Sequence, residues 1–112
     1  MISIDTKQDG DVLIVKVVGD VDASSSINLD NAISKVLSDG HKKILIDGNE
    51  MHYISSAGLG VFMSYLKDFE NDDIKMALFG MNEKVINVFK ILGLDQLIEM
   101  AESEHEAKLL VN

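Results

Sequence analysis

The sequence predicts an α/β fold, in which a small mixed, mostly parallel β-sheet has helices packed on it. Apolar runs of strand length alternate with amphipathic runs of helix length along the 112 residues, which is typical of parallel strands joined by crossover helices. The run 43-KILID-47 is almost entirely apolar, as expected of a strand covered on both faces. The predicted order is β-β-α-β-α-β-α-(β)-α, in one domain that covers residues 1–112.

The first half of the chain predicts a hairpin followed by a helix. Residues 2–6 and 12–18 have the composition of strands, and the turn-prone stretch 8-QDGD-11 favours an antiparallel pair at one side of the sheet. Residues 24–40 predict a helix that a serine can cap at its start and that ends at Gly40. The apolar residues of this helix recur at helical spacing: Leu29, Ile33, Val36 and Leu37.

The second half continues the alternation of strands and helices. A helix is predicted over 59–69, a strand over 75–79 and a helix over roughly 82–92. A short strand near 97–100 and a last helix from Ser103 complete the fold. The residues expected to be buried by the first of these helices are Leu59, Phe62, Met63 and Leu66.

Composition and charge exclude several classes of function. The formal net charge is −9 and the lysines are scattered, so binding to bare nucleic acid or to an anionic membrane surface is disfavoured. The sequence has no cysteine, and its three histidines lie far apart, so no thiol nucleophile, metal site or other cofactor is predicted. The polar, acidic start resembles no signal peptide, and no apolar run approaches the roughly 20 residues of a membrane span. We therefore expect a cytoplasmic protein.

The candidate site lies at the carboxyl ends of the strands, where open α/β sheets bind ligands and partners. Asp20 and Asp22 follow the second predicted strand, Asp47 closes the third, and Met81 and Asn82 follow the fourth. Met81 lies in a loop, so its sequence position is compatible with exposure as well as with packing. We expect these side chains to share one edge of the sheet.

The stretch 53-YISSAGLG-60 reaches the same edge just before the second helix. It ends a connection of about ten residues, longer than is usual between a strand and a helix. Ser55 or Ser56 can cap the helix, or can present its hydroxyl where the free N–H groups of the helix start would stabilise a phosphate. A nucleotide-binding loop is disfavoured because neither G-x-G-x-x-G nor a P-loop lysine is present. A catalytic serine is disfavoured because G-x-S-x-G is absent.

Three segments together resemble one known family. The segment 43-KILIDGNEMHYISSAGLGVF-62 resembles the central signature of STAS domains, the fold of bacterial anti-sigma factor antagonists. The upstream 19-GDVDASS-25 is similar to the family's acidic motif after its second strand. The final 78-LFGMNEKVINVFKILGLDQLI-98 is similar to its strand, helix and Gly-Leu ending. The resemblance covers nearly the whole chain and implies a regulatory protein rather than an enzyme.

The resemblance also implies a phosphorylation switch. In this family the unphosphorylated protein binds an anti-sigma factor, often itself a serine kinase, and so releases the sigma factor. Phosphorylation of one serine breaks the complex, and a phosphatase of the PP2C type resets it. Alignment on the glycine places the phosphoacceptor at Ser56, with Ser55 as the rival in a position usually held by aspartate. The implied partner-binding residues are Asp20, Asp22, Asp47, Ser55, Ser56, Ala57, Gly58, Met81 and Asn82.

Three other functions stay open at this point. A receiver domain would use Asp47 as its phosphorylated residue and Asp20 with Asp22 as its metal-binding pair, but the lysine that this chemistry needs near the end of a later strand is missing. A nucleotide-binding or hydrolysing module is compatible with the fold. A STAS domain can also serve outside the sigma pathway, as a signalling scaffold or as an accessory of transport.

Overall fold

The structure is a computed structural model that describes residues 2–112. These residues form a six-stranded, mostly parallel sheet and four α-helices, in agreement with the predicted fold class. In chain order the elements are β1 (Ile2–Asp9), β2 (Val12–Val21), α1 (Ser26–Ser38), β3 (Lys43–Asp47), β4 (Met51–Ile54), α2 (Ser56–Asn71), β5 (Lys75–Phe79), α3 (Glu83–Ile91), β6 (Glu99–Ala101) and α4 (Glu104–Val111). A short 3-10 helix, Leu94–Gln96, precedes β6.

The sheet has the order β1-β2-β3-β5-β6, with β4 paired to β2 outside this path. The hairpin of β1 and β2 is antiparallel, as the turn-prone stretch predicted, and its tight turn uses Gly10 with a φ of 62°. Both strands are longer than predicted. The remaining ladders are parallel, as expected where helices connect successive strands.

Strand β4 was not predicted, because its residues were assigned to a long loop. In the structure β3 ends at Asp47, opposite Lys16 in the middle of β2. The chain then turns and β4 takes the vacated place, pairing with β2 from Gly19 to Val21. The backbone N–H and C=O groups at the end of β2 therefore form hydrogen bonds with β4. An irregular loop in place of β4 would leave these groups without partners.

The core lies on both faces of the sheet, and the two sides differ in size. The larger cluster fills the space between the sheet and helices α1, α2 and α3, and includes a tilted pair of rings, Phe62 and Phe89, with centroids 6.1 Å apart. The smaller cluster lies under α4. Its buried members are Val12, Ile14, Leu45, Ala77, Phe79, Ala107 and Val111.

Two methionines lie differently from what the sequence suggested. Met63 is 50% exposed rather than buried, because α2 rests on the sheet along the stripe of Leu59, Phe62 and Phe69 and leaves position 63 at the margin of that stripe. Met81 is buried, and its side chain fills the space beside Gly48, where a Cβ would collide with it.

Candidate functional site

The passage from β4 into α2 lies beside the end of β2. The N–H of Ser55 donates a hydrogen bond of 2.8 Å to the carbonyl of Val21, which fixes the start of α2 next to the last residue of that strand. Residues 54–58, called the junction below, therefore lie at the carboxyl edge of the sheet, as the strand order predicted.

Ser55 is the N-cap of α2. Its backbone is extended (φ −85°, ψ 170°), and its Oγ accepts a hydrogen bond of 3.2 Å from the N–H of Gly58. Its carbonyl also accepts the N–H of Leu59 at 3.0 Å. The hydroxyl is therefore engaged in starting the helix, a role that is favourable for serine at this position.

Ser56 is the first residue of α2 and is exposed. Its hydroxyl makes no hydrogen bond with any other residue in the 2–112 range. Ala57, the next residue, is also exposed. The two adjacent serines therefore have different environments: the hydroxyl of Ser55 caps the helix, and the side chain of Ser56 is exposed.

Gly58 is required by packing. A Cβ at this position would lie 2.8 Å from Cγ1 of Ile54 and 2.8 Å from Cγ1 of Val21, both core atoms. The glycine therefore lets α2 approach the strands closely. Gly58 is buried, so within the junction it packs against the strands, while Ser56 and Ala57 form the exposed surface. By contrast, a Cβ at Gly60 would meet nothing within 4 Å.

The two aspartates after β2 have different environments. Asp22 is held by a local network, in which its Oδ1 accepts from the hydroxyl of Ser24 at 2.8 Å and from the N–H and hydroxyl of Ser25 at 2.8 and 2.9 Å. These hydrogen bonds, from the Ser25 N–H first, lower the pKa of Asp22 to about 2. Asp22 therefore shapes the turn into α1, whereas Asp20 is exposed and pairs in register with Tyr53 of β4.

Asp47 does not share this edge. It lies opposite Lys16 on β2, four residues before Asp20, which corresponds to about 13 Å along the strand. Its carboxylate accepts hydrogen bonds from the N–H and the side-chain amide of Asn49, at 3.0 and 2.8 Å. The prediction of one shared acidic edge was wrong because β2 continues beyond the end of β3. A receiver-type site, which needs these carboxylates together, is not formed.

Asn82 is exposed but has a structural role. Its Oδ1 accepts the N–H of Val85 at 2.9 Å and so caps α3. Its Nδ2 donates to the carbonyls of Met51 and His52, at 3.4 and 3.3 Å. One side chain therefore fastens α3 to β4. Its neighbour Met81 is buried, with 8% of its surface exposed.

Neither a cluster of metal-ligating side chains nor a membrane-spanning helix is found among the described residues. Within residues 2–112, no group of three or more histidine or acidic side chains is arranged to hold a metal ion. No helix of these residues is long and apolar enough to cross a bilayer.

The model of the STAS domain family matches residues 3–107. The chain is a STAS domain of the anti-sigma factor antagonist family. It is 31% identical over 106 residues to the anti-sigma-B factor antagonist of Listeria monocytogenes, and the match covers 94% of this chain and 93% of that protein. Anti-sigma factor antagonists are regulatory proteins.

Solved structures share the fold over nearly the whole chain. A crystal structure from Thermotoga maritima, described as a candidate anti-sigma factor antagonist, superposes with a TM-score of 0.89 at 25% identity and covers 96% of this chain and 93% of its own. An anti-sigma factor antagonist from Mycobacterium paratuberculosis has the same fold, with a TM-score of 0.90 at 19% identity and coverage of 99% and 94%.

Sequence reasoning missed one contribution to the edge of this STAS domain. Strand β4 brings Tyr53, which is 51% exposed, to a position three residues before Ser56. A signal was present, since the four residues MHYI combine an aromatic and a β-branched side chain. The burial pattern of β4 has its buried residues at both ends and its exposed ones between them, so the two-residue period that reveals a strand is absent.

Proposed function

We propose that the unphosphorylated protein binds an anti-sigma factor that is also a serine kinase, so that a sigma factor is released, and that phosphorylation of Ser56 ends this binding. The observation that carries the proposal is the contrast at the junction, where Ser55 caps α2 while the Ser56 hydroxyl is exposed and uncommitted. Membership of the anti-sigma factor antagonist family supports the choice of partner.

The chemistry asks little of this protein. The kinase holds ATP and its metal ion, and the acceptor has to present a hydroxyl in line with the γ-phosphate. A bond forms between Ser56 Oγ and phosphorus, the bond to ADP breaks, and the hydroxyl proton passes to a base of the kinase. Ser56 is at the first position of a 16-residue helix whose cap is already satisfied, so its hydroxyl can be presented without unfolding the junction.

The phosphate would act by charge and by size. It adds about −1.5 to −2 charge to a chain whose formal net charge is −9. The start of α2 has no acidic side chain in its first turn, and a helix N-terminus favours a nearby dianion by about 0.3–1 kcal/mol. The phosphorylated protein should therefore keep its fold. A partner that fits closely over Ser56 would have to desolvate the phosphate, and a thousandfold loss of affinity needs only about 4 kcal/mol.

Ser55 gives this switch a neutral neighbour. Aspartate is usual at this position in the family, and its carboxylate would repel the new phosphate. Serine supplies the cap hydrogen bond without that charge. We expect the kinase and the PP2C-type phosphatase of this protein to be adapted to the neutral cap.

Two variants of one residue test the proposal. Ser56→Ala bait should recover a kinase-like anti-sigma factor from the host lysate, and Ser56→Asp bait should recover at least tenfold less of it. Incubation of the wild-type protein with that kinase and ATP should add one phosphate, which mass spectrometry should locate on Ser56. Ser55→Ala serves as the matched control and should still be phosphorylated. A phosphate found on Ser55 or elsewhere would refute the assignment.

A further inference from the structure

We propose that the partner of this protein also docks on an uncovered part of the sheet, with Tyr53 as its anchor and with a basic side chain of the partner placed over the tyrosine. This inference rests on the proposed function and extends its binding surface from Asp20, which the sequence suggested, to neighbouring residues that it did not suggest. The surface, called the open face below, comprises Ser3, Asp5, Lys16, Val18, Asp20 and Tyr53.

The open face exists because one short helix covers only part of that side of the sheet. Among residues 2–112, α4 is the helix that packs there, and it contacts β3, β5 and β6. Along β2, the alternate residues Val12 and Ile14 lie in the cluster beneath α4. The next residues on the same face, Lys16, Val18 and Asp20, extend beyond the helix and are half-buried or exposed.

The ladders show which side chains share this face. Asp5 pairs with Lys16 and Ser3 with Val18 in the antiparallel hairpin. In the parallel pair of β2 and β4, Asp20 is in register with Tyr53, while the adjacent Val21 and Ile54 are buried on the opposite side. Tyr53 therefore projects with Asp20 onto the open face.

Tyr53 has the features of an interface anchor. Half of it (51%) is exposed, and its hydroxyl makes no hydrogen bond with the other described residues. Tyrosine is enriched among the few residues that supply most of the energy of protein–protein interfaces, because it combines a rigid apolar ring with a polar tip. It lies three residues before Ser56 along a continuous strand and helix start, so one partner can contact both.

The charges select the chemistry of the partner. Lys16 is already paired with Glu50 at 2.6 Å, and that hydrogen bond and charge, followed by the smaller effects of Asp47 and Asp5, raise the pKa of Lys16. Lys7 lies nearer α4 and acts on Asp9. Asp20 is exposed and in register with Tyr53, so its carboxylate places negative charge beside the ring. Asp5 and Asp47 lie beside Lys16, about 13 Å away along β2, and continue the acidic character of the sheet away from the tyrosine. An arginine or lysine of the partner can pair with Asp20 and stack on the ring of Tyr53.

Site-specific photo-crosslinking in the host cell distinguishes this inference from the proposed function. The photoreactive amino acid p-benzoylphenylalanine is placed at Tyr53, at Ala57 on the junction, or at Leu97, each in a Ser56→Ala background. Leu97 is 63% exposed and lines a groove with Phe69 near the far end of α2, about 20 Å along the helix from the junction. We expect the photoreactive residue at position 53 and the one at position 57 to capture the same partner protein, and the one at position 97 not to capture it. The segment of the partner that is crosslinked to position 53 should contain an arginine or a lysine.

The other outcomes separate the two claims. Capture at 57 but not at 53 would overturn the inference about the open face and leave the proposed function intact. Capture at neither position would refute both. Capture at 53 through a segment without basic residues would overturn the role assigned to the Asp20 carboxylate.

Binding measurements with the partner recovered by Ser56→Ala bait show how much the open face contributes to affinity. Tyr53→Ser should weaken binding about 30-fold, as expected for an anchor residue, whereas Tyr53→Phe should remain within about threefold of the parent. Leu97→Ser should leave the affinity unchanged. Asp20→Asn should slow association and reduce its dependence on salt. Equal affinities for Tyr53→Ser and its parent would overturn the inference.

Discussion

Replacement of Gly58 by alanine should destabilise the protein, and the same replacement at Gly60 should not. The new Cβ at position 58 would lie 2.8 Å from Cγ1 of Ile54 and from Cγ1 of Val21. Both are stiff, β-branched side chains that are at most 2% exposed, so neither can turn away into solvent. Forcing an additional methyl group into such a core costs about 1–3 kcal/mol.

Gly60 provides the matched control, because it lies in the same helix with open space around its Cα. Each alanine gains up to about 1 kcal/mol of helix propensity, and this gain cancels when the two variants are compared. Gly58→Ala should therefore be less stable than Gly60→Ala by about 1–3 kcal/mol. The difference in melting temperature should be about 4 °C per kcal/mol for a chain of this size.

Urea denaturation followed by circular dichroism measures this difference, and an unchanged m-value shows that the unfolding reaction is the same in both variants. Adding Val21→Ala to Gly58→Ala removes the colliding methyl group of Val21, so the pair should show a favourable coupling of at least about 0.5 kcal/mol. If Gly58→Ala were as stable as Gly60→Ala, close packing between α2 and the strands would not explain this glycine.

Two further predictions concern the junction and the turn before α1. Ser55→Ala removes the cap and should lower the free energy of unfolding by about 1 kcal/mol. Ser55→Asp should retain the cap, and Ser56→Ala should change the free energy of unfolding little. Chemical denaturation of the three variants measures these values, and an unchanged free energy of unfolding for Ser55→Ala would refute the role of Ser55 as the cap. Asp22 has its pKa lowered from 3.8 to about 2 in the folded protein, so its network stabilises the fold above the unfolded value and loses this effect as the pH falls from about 4 to 2. Asp22→Asn should flatten the fall in stability over that window, and a slope equal to that of the wild type would contradict the assignment.

Local sequence was sufficient for most of the architecture. The apolar run of β3 and the spacing of Leu59, Phe62 and Leu66 encode a strand and a helix within a few residues, because each depends on a pattern of the chain itself. The hairpin of β1 and β2 could be predicted for the same reason, since its turn is encoded locally. Similarity to the family signature placed the proposed phosphoacceptor, Ser56, at the start of the second helix.

The details of the site depended on contacts between residues far apart in the chain. Strand β4 exists because the end of β2 needs a partner after β3 stops, and neither segment reveals this alone. The pairing of β4 with the end of β2 also separates Asp47 from Asp20 and places Tyr53 beside Asp20 on the open face. Burial of Met81 depends on the space beside Gly48, more than thirty residues earlier.

The sequence by itself determined the order of the helices and of every strand except β4, and the presence of two adjacent hydroxyls at the start of the second helix. Only the tertiary structure decided which hydroxyl is free, because the cap hydrogen bond and the pairing of Ser55 with Val21 form together when α2 meets the sheet. Periodicity records which side of an element is apolar. Long-range backbone pairing then decides which polar groups are used inside the fold and which remain available to a partner.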